Sequence, residues 1–361
     1  MPPMSPMSGN LASFRFADVS NSTTLGATRL TAAEAFSILS QLALASRRGE
    51  RSLCRKSAAT VRALASASDR NRRRLAASGA ACVLAAAFRG FSRGGGSESF
   101  DILCGILSSL VLVFSFEDEE VLSDLGSPES LDSIVLILRC GDSSERSNAA
   151  LVLKEIFSFD GDLARAAARV EGLIEELVGL IRDPISPRCA KAALLAVFHL
   201  MVSADEWMAA RLVRMDMVRL VLESLVDSES DKRMSEVALA AFGRLCSFEP
   251  GRKKAYENAL TMPVLVKKMF GVSDLATEHA VSSLWVLCKN WQGGEEEGRG
   301  GGCVGEALQL GAFLKLLMLL QVECREGVRE RATDLLKHMY ENEHGVGCID
   351  NKDFKGLRLP I

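Results

Sequence analysis

Four His and ten Cys are the side chains in this sequence with the widest choice of chemistry: metal ligation, nucleophilic attack and proton transfer. Their spacing supports none of these. The Cys fall at 54, 82, 104, 140, 189, 246, 288, 303, 324 and 348, with no CxxC pair, and a structural zinc needs ligands at short separations. His199, His279, His338 and His344 show neither HExxH nor HxE spacing. Most Cys lie in apolar helical patterns, such as Leu245-Cys246 and Leu287-Cys288, which is the setting of a buried reduced thiol. Gly90-Phe-Ser92-Arg-Gly94 has the form GxSxG, but an Ala-rich stretch precedes it and further Gly follow. The nucleophile elbow needs a strand before and a helix after, so the string predicts a loop that ends a helix. Gly300 to Gly305 has the form GxGxxG without the preceding β-branched run that a dinucleotide fold requires. No Ser/His/Asp or Cys/His set assembles, and the sequence predicts no catalytic residue, no cofactor and no metal. Asn21-Ser-Thr23 is a glycosylation sequon behind an N-terminus with no secretory pattern, and is expected to stay unmodified.

Charge offers a second kind of chemistry. The net charge is −3, yet residues 1–93 hold 14 Lys+Arg against 4 Asp+Glu, a net of +10, which leaves −13 for the remainder. The candidate basic patch comprises Arg47, Arg48, Arg51, Arg55, Lys56, Arg72, Arg73 and Arg74. A solvated helix surface is its plain reading; contact with an acidic partner and a nuclear-import signal are the alternatives. Aromatics are not interleaved, which argues against nucleic acid. Glu117 to Glu120 and Glu295 to Glu297 read as solvated acidic loops. The most apolar run, Ile102–Phe116, has 15 residues, short of the ~20 that span a bilayer. It predicts a buried core helix, and no membrane span is expected.

The elements that must carry these residues repeat. Ala-x3-φ-x2-φ, with φ apolar, occurs at Ala149/Leu153/Ile156, Ala193/Val197/Leu200, Ala238/Phe242/Leu245, Ala280/Leu284/Leu287 and Ala332/Leu336/Met339. The Ala-to-Ala steps are 44, 45, 42 and 52. Offsets of 4 and 7 share one helical face. The long last step contains a Gly- and Glu-rich insert at 292–303, expected to be a flexible surface loop. A second apolar segment precedes each motif, at 134–138, 173–181, 217–225, 264–270 and 313–320, across a polar break rich in Ser, Asp, Gly or Pro. Asp205–Met215 and Pro250–Leu260 read as a shorter helix before each pair. Pro is absent from Met7 to Ser127, which also favours helix. One helix pair cannot bury its apolar face alone, so the units must stack. The expected fold is all-α: a right-handed α-solenoid of about six to seven units over 31–341, the first two irregular. Residues 1–30 are expected to be disordered and 342–361 to form a frayed tail.

The three-helix repeat of about 42 residues resembles the armadillo repeat. Asn71-Arg-Arg-Arg-Leu-Ala-Ala-Ser-Gly79-Ala80 resembles that family's short first helix leading into Gly-Ala. Gly251 to Phe270, Val272 to Asn290 and Glu306 to Val322 are similar to a narrower group, the plant U-box/armadillo ubiquitin ligases. The resemblance covers about residues 35–341. It implies a role in ubiquitination: a U-box recruits the charged ubiquitin-conjugating enzyme, and the armadillo array holds a ubiquitination substrate or a receptor-type kinase. A U-box carries Cys-Pro dipeptides, and this sequence has none. A conjugating enzyme is thus expected as partner only where a U-box is supplied. The alternative is an armadillo scaffold, or a competitor of full ligases, without ligase activity of its own. A cytoplasmic location with a nuclear share is expected.

In armadillo arrays the third helices line the concave face. Classical nuclear-import receptors carry an Asn just before the second apolar residue of the motif. Here that position holds Glu155, His199, Arg244, Val286 and His338. Without the Asn ladder, a partner recognised by its side chains is expected rather than a clamped peptide backbone. These five are the groove candidates, with Trp285 as an aromatic anchor or, alternatively, a core residue.

Overall fold

The computed structural model describes residues 29–94, 97–113, 118–203, 206–227, 231–291, 302–322 and 324–341. Residues 1–28, the sequon, the acidic run 295–297, most of the insert and residues 342–361 lie outside them. Among the described residues every regular element is α-helical, and the twenty helices fall into seven stacked units. The first unit has two, α1 (Ala32–Arg47) and α2 (Arg51–Ala67). The others have three each. They are α3 (Asp69–Ala77), α4 (Ala80–Arg93) and α5 (Ser97–Val113), then α6 (Glu119–Leu125), α7 (Pro128–Cys140) and α8 (Ser143–Phe159). Next come α9 (Gly161–Ala167), α10 (Leu173–Arg182) and α11 (Pro187–Ser203), and α12 (Glu206–Arg214), α13 (Met217–Asp227) and α14 (Lys232–Cys246). The array continues with α15 (Glu249–Glu257), α16 (Thr261–Lys268) and α17 (Asp274–Lys289), and with α18 (Gly302–Gln309), α19 (Ala312–Gln321) and α20 (Glu326–Glu341).

Local chemistry sets the boundaries. Thr31 and Glu34 form a reciprocal capping box at the start of α1, as do Asp142 and Glu145 at α8, each satisfying two backbone N–H groups that helix geometry leaves orphaned. Asp160, Asp231 and Ser273 cap α9, α14 and α17 through their side chains. The corner between first and second helix turns through a left-handed residue at Gly79, Gly172 and Gly311. In the fifth unit Asp216 takes that conformation, at φ 67°, the one non-Gly residue with positive φ among the described residues. The shorter helices read from the sequence at 205–215 and 250–260 are α12 and α15.

The third helices α2, α5, α8, α11, α14, α17 and α20 pack in succession, and α1, α4, α7, α10, α13 and α16 form a parallel row behind them. All five motif Ala are fully buried; a small side chain there lets consecutive third helices approach closely. The first two units also bury residues at the motif's offsets, Ser57/Val61/Leu64 in α2 and Ile106/Leu110/Val113 in α5. A Ser and an Ile stand in place of Ala, which conceals the register in the sequence. The second unit is a regular helix triplet rather than an irregular one.

Three local expectations are corrected. Ser92 lies in the last turn of α4, where its hydroxyl donates to the Phe88 carbonyl oxygen at 2.9 Å; the GxSxG string is helix, not loop, until Gly94. Asp118 caps α6, and Glu119 and Glu120 open it, so most of that acidic run stabilises a helix N-terminus instead of forming a loop. Gly302 and Cys303, at the far end of the expected insert, begin α18. The run from Ile102 is buried in α5 as expected.

Candidate partner-binding groove

The five motif helices place Glu155, His199, Arg244, Val286 and His338 one per unit, on α8, α11, α14, α17 and α20. A residue at offset 6 lies about 100° from the buried residue at 7 and about 160° from the one at 4 on the helical wheel. Each of the five is half-buried. The positions at offsets −1 and 2 share that face and are half-buried too at Asn148, Leu151, Leu195, Val237, Ala240, His279, Ser282, Arg331 and Asp334.

Several of these groups are already engaged. Glu155 pairs with the adjacent Lys154. The Trp285 indole N–H donates to Asp334 Oδ2 across one unit, at 2.6 Å, and Lys289 Nζ approaches Asp334 Oδ1 at 3.2 Å. The indole hydrogen bond, followed by the Lys289 ammonium, holds the Asp334 carboxyl below its ordinary pKa. Trp285 is thus a half-buried ring packed against the core, as the core reading expected, and also a polar tether between units. His338 Nε2 lies 3.2 Å from the Cys288 carbonyl oxygen, so that nitrogen carries the proton. Burial lowers the pKa of His199, and the Lys154 charge lowers it further. Burial lowers His279 likewise, opposed by Glu278 and Glu236.

Arg244 differs from its counterparts. Its guanidinium stacks over the Phe248 ring, 4.9 Å from the centroid, and its buried Nε–H has no acceptor among the described residues. Stacking of this kind stabilises by about 0.5–1 kcal/mol at a partly exposed site. It also fixes the fork of the guanidinium, so that the remaining donors point in a set direction.

The sequence did not reveal the ladder of polar ties linking one third helix to the next. Asn148 donates to Ser108, Lys191 pairs with Asp231, Ser273 donates to Glu236, Arg325 pairs with Glu278, and Arg331 donates to Ser282. The signal for Asn148 and Arg331 was present at offset −1 of the motif; the others follow no single register.

The basic patch is not one surface. Arg47, Arg48, Arg51, Arg55 and Lys56 crowd the turn from α1 to α2, whereas Arg72, Arg73 and Arg74 lie on α3, beyond the far end of α2. The 17 residues of α2 span about 25 Å. Hydrogen bonding of Leu30 N–H to Asn71 Oδ1, at 3.1 Å, fixes α3 beside the opposite, N-terminal end of α1. Arg48 pairs with Glu50, Arg55 with Asp101 and Arg72 with Asp69, so part of the charge is matched locally. The eight residues form two smaller basic clusters.

Nine free Cys lie among the described residues, and six of them are buried. Burial raises the pKa of Cys54 to about 11, and of Cys246 and Cys104 well above the usual thiol range. A thiol held neutral is a poor nucleophile. Cys82, Asp118 and Glu120 bring three ligand-type atoms together, but the Cys82 Sγ donates to Asp118 Oδ2 at 2.7 Å and its pKa is raised to about 11, first by desolvation. Among the described residues no single helix is long and apolar enough to cross a membrane.

Known proteins agree with this geometry. A designed armadillo repeat protein superposes with a TM-score of 0.53 over 70% of this chain and 98% of its own, at 18% identity. A second designed armadillo repeat protein, solved in complex with the peptide (KR)4, gives 0.52 over 70% and 99%, also at 18%. The fold is thus the right-handed α-solenoid of armadillo type. In sequence, U-box domain-containing protein 21 of Arabidopsis thaliana is 34% identical over 330 residues, 91% of this chain and 73% of that protein. U-box domain-containing protein 20 of the same plant is 30% identical over 337 residues, 92% and 73%. E3 ubiquitin-protein ligase PUB23 is 28% identical over 212 residues, 57% of this chain and 48% of that protein. The family model for the plant U-box protein ARM repeat region matches residues 34–358, and the chain belongs to that family, as an armadillo-repeat module for protein interaction.

Proposed function

We propose that the third-helix groove holds a protein destined for ubiquitination, or a receptor-type kinase that controls the process, and that the chemistry is done by a conjugating enzyme recruited through a U-box. The carrying observation is the groove itself. A row of half-buried side chains, one per unit, stands open on the face where third helices stack, with an unsatisfied Arg244 donor in the row. Glu155, His199, Arg244, Val286 and His338 differ in charge and size, so the partner is read by its side chains, unit by unit, and presents a carboxylate or carbonyl oxygen to Arg244. The armadillo fold and the ligase named among the relatives support this reading. Cytoplasm and nucleus, where such conjugating enzymes would be met, are the compartments it implies; a fluorescent fusion tests that.

The test combines the 361 residues with E1, a panel of conjugating enzymes, ATP and ubiquitin. We expect no chains above the no-ligase control from these residues alone. Chains are expected when the same residues follow the U-box of a relative, on a bound protein whose capture is lost in Arg244→Glu. Chains from the 361 residues alone would overturn the assignment of recruitment to a U-box. Capture unchanged by Arg244→Glu and by Glu155→Arg would overturn the groove.

A further inference from the structure

Four Arg crowd the middle of α3, at 70, 72, 73 and 74. Arg72 is matched by Asp69 at 2.7 Å. Arg70, Arg73 and Arg74 have no ion-pair partner among the described residues. Offsets of 3 and 4 put these three on one face of the helix. Together they line a cavity of about 630 Å³, bounded by Ala32 at the start of α1 and by Ala77. Asp69 borders the same cavity, but Arg72 already takes its carboxylate. Arg70 and Arg73 are exposed and Arg74 is half-buried. Asn71 and Leu75 are buried on the other side of α3, and Asn71 Oδ1 accepts from Leu30 N–H. The three guanidinium groups are therefore carried on a helix held in place.

Other first helices lack this face. The left-handed corners give them a common register. Arg74, Arg73 and Arg70 stand five, six and nine residues before Gly79. The same positions hold Ala167, Ala166 and Leu163 before Gly172, Arg211, Ala210 and Trp207 before Asp216, and Glu306, Gly305 and Gly302 before Gly311. Where a single cation does occur, the fold matches it: Arg211 donates to Glu175, the third residue of α10, at 2.5 Å. The third residue of α1 is Glu34, but its Oε2 already accepts from the Thr31 N–H and hydroxyl, at 2.8 and 2.7 Å. Arg74 thus lacks the acid that its counterpart Arg211 finds in the preceding unit.

We propose that this face of α3 docks a short acidic segment of a partner protein, with Asp and Glu side chains seated on Arg70, Arg73 and Arg74. A guanidinium fork takes a carboxylate through two parallel hydrogen bonds. Arg70 and Arg74 are about 6 Å apart along the helix axis, close to the roughly 6.6 Å between alternate side chains of an extended peptide. A nucleic acid fits this face less well. No aromatic residue lines the cavity, so bases have no ring to stack on. The net −13 beyond residue 93 also repels a long polyanion. A membrane fits no better, since no large apolar side chain borders the Arg. The surface belongs to a first helix, apart from the third-helix groove, and it stands whether or not that groove holds a substrate.

Fluorescence anisotropy of a labelled octapeptide of alternating Asp and Glu, titrated with the full chain, tests this. We expect saturable binding that weakens as NaCl is raised. Arg70→Ala/Arg73→Ala/Arg74→Ala should weaken it about tenfold, the summed effect of three solvent-facing charge pairs. Arg47→Ala/Arg48→Ala/Lys56→Ala removes the same charge from the turn between α1 and α2, and should change the affinity by less than about twofold. None of the six side chains is buried and Ala favours helix, so both variants should keep the circular dichroism of the parent. Equal weakening by the two triple variants would overturn the inference, because net charge and not the α3 face would then hold the peptide. So would the lack of saturable binding. Tighter binding of an oligothymidylate or of a phosphoserine peptide, lost in the α3 variant, would also overturn it, since phosphate and not carboxylate would then be the occupant.

Discussion

Adding a single methyl group at Gly251 tests the stacking geometry most directly. Gly251 lies in α15, two residues into the helix, where backbone conformation poses no obstacle to Ala. Helix propensity by itself favours Ala over Gly by about 0.8–1 kcal/mol. The tertiary structure reverses the sign. A Cβ on Gly251 would sit 2.0 Å from the Leu245 carbonyl oxygen, 2.6 Å from its carbon and 3.3 Å from the Cys246 nitrogen. All three are backbone atoms at the end of α14 and cannot rotate away, so α15 must move by more than an ångström. That movement also withdraws Arg252, whose Nη1 donates to the Cys246 and Ser247 carbonyl oxygens at 3.2 and 3.1 Å. Overpacking costs about 1–3 kcal/mol, and hydrogen bonds from a charged donor about 1.5–3 kcal/mol where they are lost. After the propensity gain, Gly251→Ala should destabilise by roughly 2–4 kcal/mol. For a cooperative block of 150–250 residues that lowers the melting temperature by roughly 5–15 °C. Gly179 is the matched control: it lies inside α10 with nothing within 4 Å of a built Cβ, and Gly179→Ala should stabilise by up to about 1 kcal/mol. Thermal and urea unfolding followed by circular dichroism at 222 nm separate the two. A Gly251→Ala protein as stable as the parent would refute the close approach of α15 to the end of α14.

Further outcomes follow from other groups. Asp216→Gly should be neutral or stabilising by up to about 1 kcal/mol, since relief of the left-handed penalty offsets loss of the exposed Arg219 pair; Asp216→Val should lower the melting temperature, and a rise would refute the strain argument. Trp285→Phe should weaken the array at pH 7. The depressed Asp334 pKa contributes stability that is present above the unfolded carboxylate pKa and is lost as pH falls through the folded one, so the difference from the parent should narrow as pH falls below the ordinary Asp value of about 3.9. His199 and His279 are held neutral by burial; the unfolded chain takes up protons first as pH falls below about 6.5, so stability should drop from pH 7 to 5, and His199→Gln/His279→Gln should flatten that slope. Native maleimide labelling read by mass spectrometry should modify exposed Cys140 well before Cys54, Cys246 or Cys303, which are buried; early labelling of Cys246 would contradict its burial.

Much of this protein was written in its periodicity. The Ala-x3-φ-x2-φ offsets and their spacing near 44 residues followed from helix geometry alone, because a buried face must recur every turn whatever it packs against. Polar breaks marked the ends of helices for equally local reasons. The first two units were illegible because Ser57 and Ile106 occupy the Ala position; the packing tolerates them, the pattern does not. The half-burial of the candidate row was legible, since offset 6 lies a fixed angle from the core. Its chemistry was not. That Arg244 keeps a donor unspent over Phe248, that Trp285 ties Asp334, and that the basic residues part into two clusters are facts about distances between elements far apart in the chain. Sequence set which residues each helix turns inward, because the helix period is a property of the backbone. Only the stacking of seven units decided which polar groups meet, because that depends on where separate helices come to rest.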